Sequence, residues 1–516
     1  MAHIFLYGPP GSGKSTVGKL LAQSLDIPFV DLDSEIEKSA GKTIPQIMDE
    51  QGKPAFRDQE AAALLSMTKK SPRVIAVGGG ALLRDKNRRC AEENGQVIFL
   101  EANVSTLLKQ LSKGENKRPL LTGDVKNKLE SLLTRRDEHY KSFPLRMKVD
   151  DQSIEQIVWK IQKLLGLFRV HGMGTTYDVV VQAKAIDSLG EILKSKSISG
   201  KLAVVSDSNV APIYGERVLK PLREAGYSAD LIVIPAGENF KTLDTVSSIW
   251  KSLLEHGLDR KSTIIALGGG VVGDMAGFAA STYMRGVNWV DIPTTLLSMA
   301  DASLGGKTGF DLPEGKNLIG SFYPPKLVLA DPQILKTLPE AELISGMAEA
   351  VKHGIISDPG LFNLCGRGLG WVKNNLEEIV KRAMAVKIKV IEEDPYEKDF
   401  RAALNLGHTV GHAVELVSRF QLRHGEAVAI GMVAEAKLAE RLKVAGKGLA
   451  EAVVETLSAL SLPIYIPKEL PRKELIRAMR VDKKKSNGIV QFALPVTIGQ
   501  VELVDVEDLE IVLEAR

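Results

Sequence analysis

Cysteine, net charge and long apolar runs are scarce in this chain, and each scarcity excludes a class of protein. Two of the 516 residues are cysteines, Cys90 and Cys365, and their separation fits no metal-binding spacing. We therefore expect a reduced, cytoplasmic protein. The formal net charge of +3 indicates no nucleic-acid partner. No run of eighteen apolar residues occurs, so no membrane span is expected, and the N-terminal MAHIFLYGPP does not resemble a signal peptide.

The chain contains enough apolar residues to form the hydrophobic cores of several domains. Length alone predicts about three domains, and apolar residues make up 44% of the chain. Strand-like and helix-like segments alternate in the first two domains, which predicts α/β folds, and the last domain is mostly helical in pattern. We place the domains at residues 1–166, 170–330 and 331–516, with a short polar join after the first.

The N-terminal segment contains a phosphate-binding loop in its required setting. A short apolar strand, His3 to Tyr7, precedes GPPGSGKST, and the helical VGKLLAQSL follows. The glycines let backbone N–H groups surround phosphates at a helix N-terminus. Lys14 is expected to reach the β- and γ-phosphates of ATP, and Ser15 to hold Mg²⁺. The predicted nucleotide-binding residues are Gly8, Gly11, Ser12, Gly13, Lys14, Ser15 and Thr16.

Polar residues further along the same domain are candidates for binding the second substrate, the one that accepts the phosphoryl group. Phe29-Val-Asp31-Leu-Asp33 is interpreted as the end of a second strand, with both carboxylates on the same side. The other features, in chain order, are Phe56-Arg57 after a helix, the buried strand Val74 to Val77 that opens into Gly78-Gly79-Gly80, the lid-like segment SKGENKRPLLTGD, and Arg136 one helical turn before Tyr140.

In this order, and over nearly the whole segment, these features resemble shikimate kinase. The resemblance assigns Asp31 to Mg²⁺, and Arg118 of the lid-like segment to ATP. It assigns shikimate binding to Asp33, Arg57, Gly79, Gly80 and Arg136. Two arginines can hold a carboxylate bidentately, and an aspartate can accept from the reacting hydroxyl. Lys14, Arg118 and Mg²⁺ can neutralise the transferring phosphoryl group. The alternative is another small P-loop kinase, such as a gluconate or nucleoside monophosphate kinase. The glycine turn, together with Arg57 and Asp33, argues against that alternative.

The second domain alternates strand-like runs with helical ones, which predicts a parallel, Rossmann-like sheet. The runs are VVVQ, LAVVSD, ADLIVIP, STIIALGGG and NWVDIP. Gly268 to Gly273 formally satisfy GxGxxG, and Asp291 follows as the acid of a dinucleotide fingerprint. The strand before this match is not the first of its domain, so the match is weak evidence alone.

Three of the eight histidines lie in one short run, RAALNLGHTVGHAVELVSRFQLRHGE. His408 and His412 are spaced i,i+4, so on a helix their imidazoles share one face. His424 can return to them after a turn, and Glu349 in GMAEAVKHG offers a fourth ligand. Such clusters suit zinc or a similar divalent ion. Spacing alone, by analogy with HExxH zinc enzymes, predicts His408 and His412 as the first ligand pair.

The second and third domains together resemble 3-dehydroquinate synthase. The most specific stretch runs from Pro293 through Lys307 to Gly320, and GGGVVGDMAGF, PAGENFKT, GMAEAVK and the histidine run also match. The resemblance implies NAD as a cofactor. It assigns NAD binding to Asp207, Asn209, Glu238, Lys241, Gly268, Gly269, Gly270, Asp274, Thr294, Thr295, Asp301, Lys307 and Lys316.

The same resemblance revises the metal prediction. The ligands become Glu349, His408 and His424, and His412 becomes a substrate contact. Three protein ligands leave a position open on a zinc or cobalt ion, as catalytic sites do. The implied substrate carries a carboxylate and a phosphate, which basic residues can meet. The residues assigned to substrate or catalysis are Arg285, Lys307, Lys316, Asn317, Lys352, Lys387, Arg401, Asn405 and His412, with one of Lys483, Lys484 and Lys485.

The two resemblances together imply a bifunctional enzyme. One half would phosphorylate shikimate with ATP. The other would convert 3-deoxy-arabino-heptulosonate 7-phosphate to 3-dehydroquinate and phosphate, using NAD that is returned unchanged. A homodimer through the synthase half is expected.

The alternatives for that half are a polyol dehydrogenase of the same fold and another sugar-phosphate cyclase, for example one acting on glucose 6-phosphate. A scaffolding chain with inactive sites is the third alternative. Against it, each position to which the resemblances assign a catalytic role holds a residue that can perform that role.

Overall fold

The computed structural model describes residues 2–113, 124–396, 400–482 and 489–513. The chain divides into two compact units, Met1–Arg169 and Val170–Arg516. Among the residues in these described ranges, no helix combines the length and the apolar character needed to cross a membrane. Two predictions, for Arg118 and for the lysines at 483–485, lie outside the described residues.

A five-stranded parallel sheet organises the first unit. Its strands are β1 (His3–Tyr7), β2 (Phe29–Asp31), β3 (Val74–Ala76), β4 (Gly95–Glu101) and β5 (Arg146–Lys148), in the order β2–β3–β1–β4–β5. The helices are α1 (Lys14–Leu25), α2 (Leu32–Ala40), α3 (Ile44–Thr68), α4 (Asp85–Asn94), α5 (Val104–Lys113), α6 (Val125–Lys141) and α7 (Ile154–Leu165). The phosphate loop, Asp31 and the glycine turn each follow one of three adjacent strands, so they meet at one edge of the sheet.

The apolar pattern of β1 explains why this sheet is covered on both faces. Phe5 and Tyr7 pack into one buried cluster, whereas Ile4 and Leu6 pack into the other. Side chains alternate across a strand, so an uninterrupted apolar run faces helices on both sides, as parallel sheets require.

One local interpretation in the first unit is wrong. The strand β2 ends at Asp31, and Asp33 lies in the first turn of α2 rather than on the strand. The reason is that the Asp31 carboxylate accepts the backbone N–H of Asp33 and caps α2. Arg57 does follow a helical segment, since α3 is interrupted by a kink at Gly52 (φ 80°) and Arg57 lies in the part after it.

The second unit contains a larger parallel sheet. The strand β6 (Leu167–Val170) spans the boundary between the units. The following strands are β7 (Tyr177–Val181), β8 (Leu202–Asp207), β9 (Ala229–Ile234), β10 (Thr263–Gly268), β11 (Asn288–Pro293), β12 (Lys307–Leu312), β13 (Gly315–Phe322) and β14 (Leu327–Ala330). Within this unit the parallel order is β7–β14–β11–β10–β8–β9, and β12 and β13 form an antiparallel hairpin. The five predicted strand-like runs are therefore confirmed.

The helices of the second unit dominate its C-terminal part, as predicted. They are α8 (Leu189–Ser195), α9 (Ala211–Glu224), α10 (Leu243–Glu255), α11 (Gly270–Thr282), α12 (Glu340–Ser357), α13 (Pro359–Cys365), α14 (Leu369–Asn374), α15 (Leu376–Glu393), α16 (His408–Val417), α17 (His424–Arg441), α18 (Leu449–Ala459), α19 (Arg472–Asp482) and α20 (Glu510–Leu513). One antiparallel hairpin, β15 (Val490–Thr497) with β16 (Gln500–Val506), packs among them.

Glycines bring α16 and α17 into backbone contact. A side chain at Gly431 would collide with the carbonyl of Gly407, and a Cβ at Gly411 would lie 3.0 Å from a backbone oxygen of α17. Gly407 also has a φ of 79°, a left-handed conformation that suits glycine. This close approach places His408 and His424, the first residues of the two helices, beside each other.

Candidate active sites

The phosphate loop of the first unit has the backbone geometry that an anion requires. Gly11 and Gly13 have φ values of 83° and 84°, which turn the backbone into the N-terminus of α1. The Lys14 Nζ atom donates to the carbonyl oxygen of Gly8 at 2.9 Å and to that of Pro9 at 3.0 Å. The lysine therefore spans the mouth of the loop, where it can meet a phosphate.

A hydroxyl and a carboxylate meet between α1 and β2. The Ser15 hydroxyl donates to the Oδ2 atom of Asp31 at 2.5 Å. Hydroxyl and carboxylate oxygens are ligands that Mg²⁺ prefers, usually together with water and substrate phosphates. The donor set therefore fits the predicted ion.

The predicted acceptor-binding side chains converge on the glycine turn after β3. A Cβ at Gly80 would lie 2.6 Å from the Nη2 atom of Arg57 and 3.4 Å from the Nη2 atom of Arg136. A Cβ at Gly78 would lie 2.9 Å from the Oδ1 atom of Asp33. The absence of side chains at the turn therefore makes room for two guanidinium groups and one carboxylate around the same point.

Contacts that sequence reasoning missed hold this pocket in place. The Nη1 atom of Arg57 donates to both carboxylate oxygens of Glu60, at 2.8 and 2.6 Å. Burial raises the pKa of Glu60, and the neighbouring Arg57 opposes that rise. Tyr140 and Arg136 both donate to the carbonyl oxygen of Gly79, at 3.1 and 2.5 Å. The i,i+3 spacing from Arg57 is the one sequence signal that could have singled out Glu60.

In the second unit, the GGG segment at 268–270 lies at the carboxyl edge of the sheet. The strand β10 ends there and α11 begins, so the helix N-terminus faces the edge. A Cβ at Gly269 would lie 3.2 Å from the Cγ2 atom of Thr295, so a side chain there would crowd Thr295. Asp291 does not act as a fingerprint acid, because it is buried within β11 rather than placed at a strand end.

A buried lysine, Lys241, contacts two other predicted cofactor and substrate residues. The Nζ atom of Lys241 lies 2.6 Å from the Oδ2 atom of Asp274, and it donates to the side-chain oxygen of Asn317. Lys316, on the hairpin β12–β13 with Asn317, pairs with Glu238 at 3.3 Å. Asn317 and Lys316 therefore join the hairpin to Lys241 and Glu238, which lie near the sheet edge.

Two other predicted cofactor residues stand on the same sheet edge. Asp207 ends β8, and its carboxylate accepts the backbone N–H of Asn209 at 2.8 Å. Thr294 follows β11; it is buried, and its hydroxyl has no hydrogen-bond partner within the part of the chain that the structure describes. A buried hydroxyl of this kind is costly unless a ligand or water meets it. These contacts fit a bound dinucleotide.

A cluster of buried charges lies between α12, α15 and the segment after β11. The Nζ atom of Lys387 donates to the carboxylate of Asp301 at 2.6 Å and to its backbone oxygen at 2.7 Å. Lys352 forms an ion pair with Glu349. Although burial alone would raise it, these ammonium groups hold the pKa of Asp301 well below its usual range. Burial and Lys352 lower the pKa of the neighbouring His353 to about 3, so this imidazole is neutral.

The geometry around Glu349 fits a divalent metal ion. Its Oε1 atom is buried and accepts no hydrogen bond from the described residues. The Nε2 atoms of His408 and His424 lie 3.7 and 3.9 Å from it. Each ring directs its other nitrogen elsewhere: Nδ1 of His408 lies 3.1 Å from the Leu406 carbonyl, and Nδ1 of His424 lies 3.2 Å from Glu415. Two Nε2 atoms and a carboxylate oxygen are thereby left facing one point.

His412 lies beside this group rather than in it. Its ring centroid is 5.2 Å from that of His408 and 5.9 Å from that of His424. The i,i+4 pair does share one helix face, as predicted. The ligand atoms of Glu349, His408 and His424 lie within 4.8 Å of one another, whereas His412 shares such a group with Glu415 and His424, and Asp301 and His353 form a third with Glu349.

Two predicted substrate residues are not part of the group of charged residues and histidines around Glu349. Arg285 lies in an exposed turn after α11, and Asn405 is half-buried just before α16. Arg401, in contrast, is buried, and its Nη1 atom donates to the carbonyl of Pro395 at 2.6 Å.

Comparison with protein families covers both units. Residues 10–165 match the model of the shikimate kinase family. Residues 231–345 match the model for the N-terminal part of 3-dehydroquinate synthase, and residues 346–485 match the model for its C-terminal part.

Individual proteins and structures agree with these matches for the second unit. A 3-dehydroquinate synthase from Crocosphaera subtropica is 43% identical over 336 residues, which is 64% of this chain and 92% of that protein. The structure of ValA, a 2-epi-5-epi-valiolone synthase from Streptomyces hygroscopicus subsp. jinggangensis with NAD⁺ and Zn²⁺ bound, is 30% identical with a TM-score of 0.60, and covers 66% of this chain and 96% of its own. A 2-deoxy-scyllo-inosose synthase complexed with carbaglucose-6-phosphate, NAD⁺ and Co²⁺ is 26% identical with a TM-score of 0.63, and covers 68% of this chain and 99% of its own.

Proposed function

This chain belongs to the 3-dehydroquinate synthase family and carries a shikimate kinase domain before it, and we propose which residues and ligands perform its two reactions. The kinase residues lie in a domain at 1–166, the NAD-binding residues in a domain at 170–330, and the metal-binding residues in a domain at 331–516. The observation that carries the proposal is the buried carboxylate of Glu349, faced by two histidine Nε2 atoms beside two buried lysines.

In the kinase domain, two arginines would hold the acceptor while an aspartate orients it. Arg57 and Arg136 can grip the shikimate carboxylate, because a planar guanidinium pairs bidentately with a carboxylate. Asp33 would accept from the hydroxyl that is phosphorylated. Lys14 would neutralise charge on the transferring phosphoryl group, and ATP would bring Mg²⁺ to Ser15 and its neighbour Asp31. Arg118 would add a second positive charge from the lid-like segment.

In the synthase half, Glu349, His408 and His424 would hold zinc or cobalt. Two imidazoles and a carboxylate are common ligands of a catalytic zinc, and three ligands leave a coordination position open. When bound, the ion polarises a substrate hydroxyl. His412, beside the ligand group, would contact the substrate and hold or move its proton.

The carboxyl edge of the larger sheet would hold NAD. The N-terminus of α11 offers backbone N–H groups to the pyrophosphate. Asp207, Glu238 and Lys241 would hold the rest of the dinucleotide, with Thr294 and Asp301 near its reactive end. When bound, NAD takes up a hydride from the substrate and returns it within the same cycle.

The positive charge of the site matches a substrate with two anionic groups. Lys307, Lys352, Lys387 and Arg401 would meet the carboxylate and phosphate of 3-deoxy-arabino-heptulosonate 7-phosphate. Lys352 is already balanced by the buried carboxylate of Glu349 and Lys387 by the half-buried carboxylate of Asp301, which reduces the cost of burying their charge. A polyol dehydrogenase would need no such cluster.

The substrate of the synthase half can be tested directly against its closest chemical rival. We expect the purified chain, supplied with NAD and a divalent ion, to release phosphate from the seven-carbon substrate and not from glucose 6-phosphate. The 43% identity to a 3-dehydroquinate synthase, above the identity to the two other cyclases, supports this choice. Phosphate release from glucose 6-phosphate alone would assign the half to the other class of cyclase.

The chain is also proposed to work as a cytoplasmic homodimer. Both cysteines are free thiols, which fits a reducing compartment. Exposed apolar side chains lie on β9 and on the two helices that pack against it, namely Val233, Ile213, Leu243 and Leu254. A second copy would cover exposed apolar side chains of this kind. Sedimentation equilibrium should give twice the chain mass, and a monomer at micromolar concentration would contradict the proposal.

A further inference from the structure

A buried tyrosine in the second unit makes a contact that no part of the proposed mechanism uses. Tyr177 is the first residue of β7 and is 1% exposed. Its hydroxyl oxygen accepts the backbone N–H of Gly305 at 3.1 Å, across 128 positions of sequence. Burial raises the pKa of Tyr177, so the phenol keeps its proton.

Gly305 belongs to a turn with an unusual backbone. Gly305 and Gly306 have φ values of 92° and 63°, in the left-handed region that suits glycine. The turn leads directly into Lys307, the first residue of β12. A Cβ at Gly305 would lie 2.7 Å from the Nη2 atom of Arg401. The turn therefore carries one of the basic residues assigned to the substrate and packs against another.

The segment around this turn is fixed at three places. Lys387 holds its start, through the backbone oxygen and carboxylate of Asp301. The backbone N–H of Tyr323 donates to the Gly306 carbonyl at 2.7 Å and holds its end. Tyr177 holds the middle. Because a buried N–H without an acceptor is costly, removal of the phenol oxygen would favour another orientation of the Gly305 peptide.

We propose that Tyr177 is a positioning residue of the synthase site. Its hydroxyl fixes the Gly305–Gly306 turn so that Lys307 and Arg401 meet the same substrate molecule. The inference rests on the proposed function of these two basic residues. It goes beyond that proposal because it assigns a role in catalysis to a residue that would not touch the substrate, the cofactor or the metal ion.

The test uses Tyr177→Phe in the full chain, with Tyr214→Phe as a matched control. Tyr214 is also a buried tyrosine of the second unit, and its hydroxyl contacts the Ile334 carbonyl at 3.2 Å and the Thr337 hydroxyl at 2.8 Å. Both variants lose one phenol oxygen. We expect Tyr177→Phe to lower kcat/KM for phosphate release by roughly 30-fold, since small misplacements of positioning groups have large effects on rate. The kcat/KM of Tyr214→Phe should stay within about twofold of the wild-type value, because Tyr214 contacts Ile334 and Thr337 and holds no group assigned to the substrate.

Two further readouts separate positioning from general stability. The affinity for a divalent ion should be unchanged in Tyr177→Phe, because the turn touches none of the ligand side chains. The kinase rate of the same chain should also be unchanged. Equal synthase rates in the two tyrosine variants, with equal losses of thermal stability, would overturn the proposal.

Two other outcomes are also decisive. If Tyr177→Phe does not fold, Gly305→Ala tests the turn from the other side: a lowered synthase rate supports the proposal, and a normal rate overturns it. If the wild-type chain itself releases no phosphate from the seven-carbon substrate, the proposed function fails. That result is distinct from equal rates in an active wild type and its Tyr177 variant.

Discussion

The Nδ1 atom of His424 lies 3.2 Å from the Oε2 atom of Glu415, and this contact decides which ring nitrogen is left for a metal ion. With Nδ1 directed at a carboxylate, Nε2 faces Glu349 at 3.9 Å. Glu415 lies on α16, the helix that begins with His408. A carboxylate that accepts from the free nitrogen of a ligating histidine fixes the ring orientation and raises its basicity.

Glu415→Gln should therefore weaken metal binding without emptying the site. The amide keeps the size of the side chain but loses the charge, and partners of this kind typically contribute about 10- to 100-fold to metal affinity. Equilibrium dialysis of the metal-free protein against a buffered series of zinc concentrations measures the change. Glu426→Gln is the control, since it removes the same charge beside His424 while a glutamine can still cap α17. An affinity equal to that of the control would show that Glu415 does not support the ion.

Removal of two neighbouring histidines should have opposite consequences for the ion. We expect His424→Ala to lose bound metal, because a ligand bond is lost. His412→Ala should keep the metal and turn over poorly, because it would lose only a substrate contact. Metal content after gel filtration and the rate of phosphate release check both. An empty site in His412→Ala with a full site in His424→Ala would restore the ligand pair that i,i+4 spacing suggests.

The sequence predicts the elements of this chain better than the contacts between them. The strand-like runs and the phosphate loop are local patterns, so periodicity and spacing were enough. The end of β2 was misplaced because a carboxylate that marks a strand end, Asp31, also caps the next helix. The residues alone offer Glu349 as a ligand beside the three histidines, but only the family resemblance moves His412 from the ligands to the substrate. Tyr177 gives no local signal at all, because its partner Gly305 is distant in sequence.

Asp33→Asn should nearly abolish kinase turnover while ATP still binds. The substitution removes the charge that would orient or deprotonate the acceptor hydroxyl, which typically contributes about 10²- to 10⁴-fold to the rate. The phosphate loop is left intact, since Lys14 is held by backbone carbonyls. Coupled assays of ADP release and titration of an ATP analogue measure the two effects. Turnover near that of wild type would make Asp33 a structural residue.

The two halves should work independently when the chain is cut. Gly166 ends α7 with a φ of 69°, and a cut directly after it keeps β6 whole in the second fragment. The proposed product of the synthase half, 3-dehydroquinate, is not the shikimate that the kinase half would phosphorylate, so no shared intermediate needs to pass between the sites. We expect each purified fragment to keep its own activity within about tenfold, or roughly 1.4 kcal/mol of transition-state stabilisation. A larger loss in a fragment that is still folded would show that the halves are coupled.

The second unit is proposed to use NAD as a shuttle within each cycle, and the stoichiometry of NAD distinguishes this role from that of a consumed oxidant. The measurement follows phosphate release from 3-deoxy-arabino-heptulosonate 7-phosphate and NADH absorbance together, with NAD well below the substrate concentration and zinc or cobalt present. We predict many phosphates released for each NAD, with no accumulation of NADH, because oxidation and reduction occur in one turnover. NADH that accumulates in proportion to product would contradict the account and make this half a dehydrogenase.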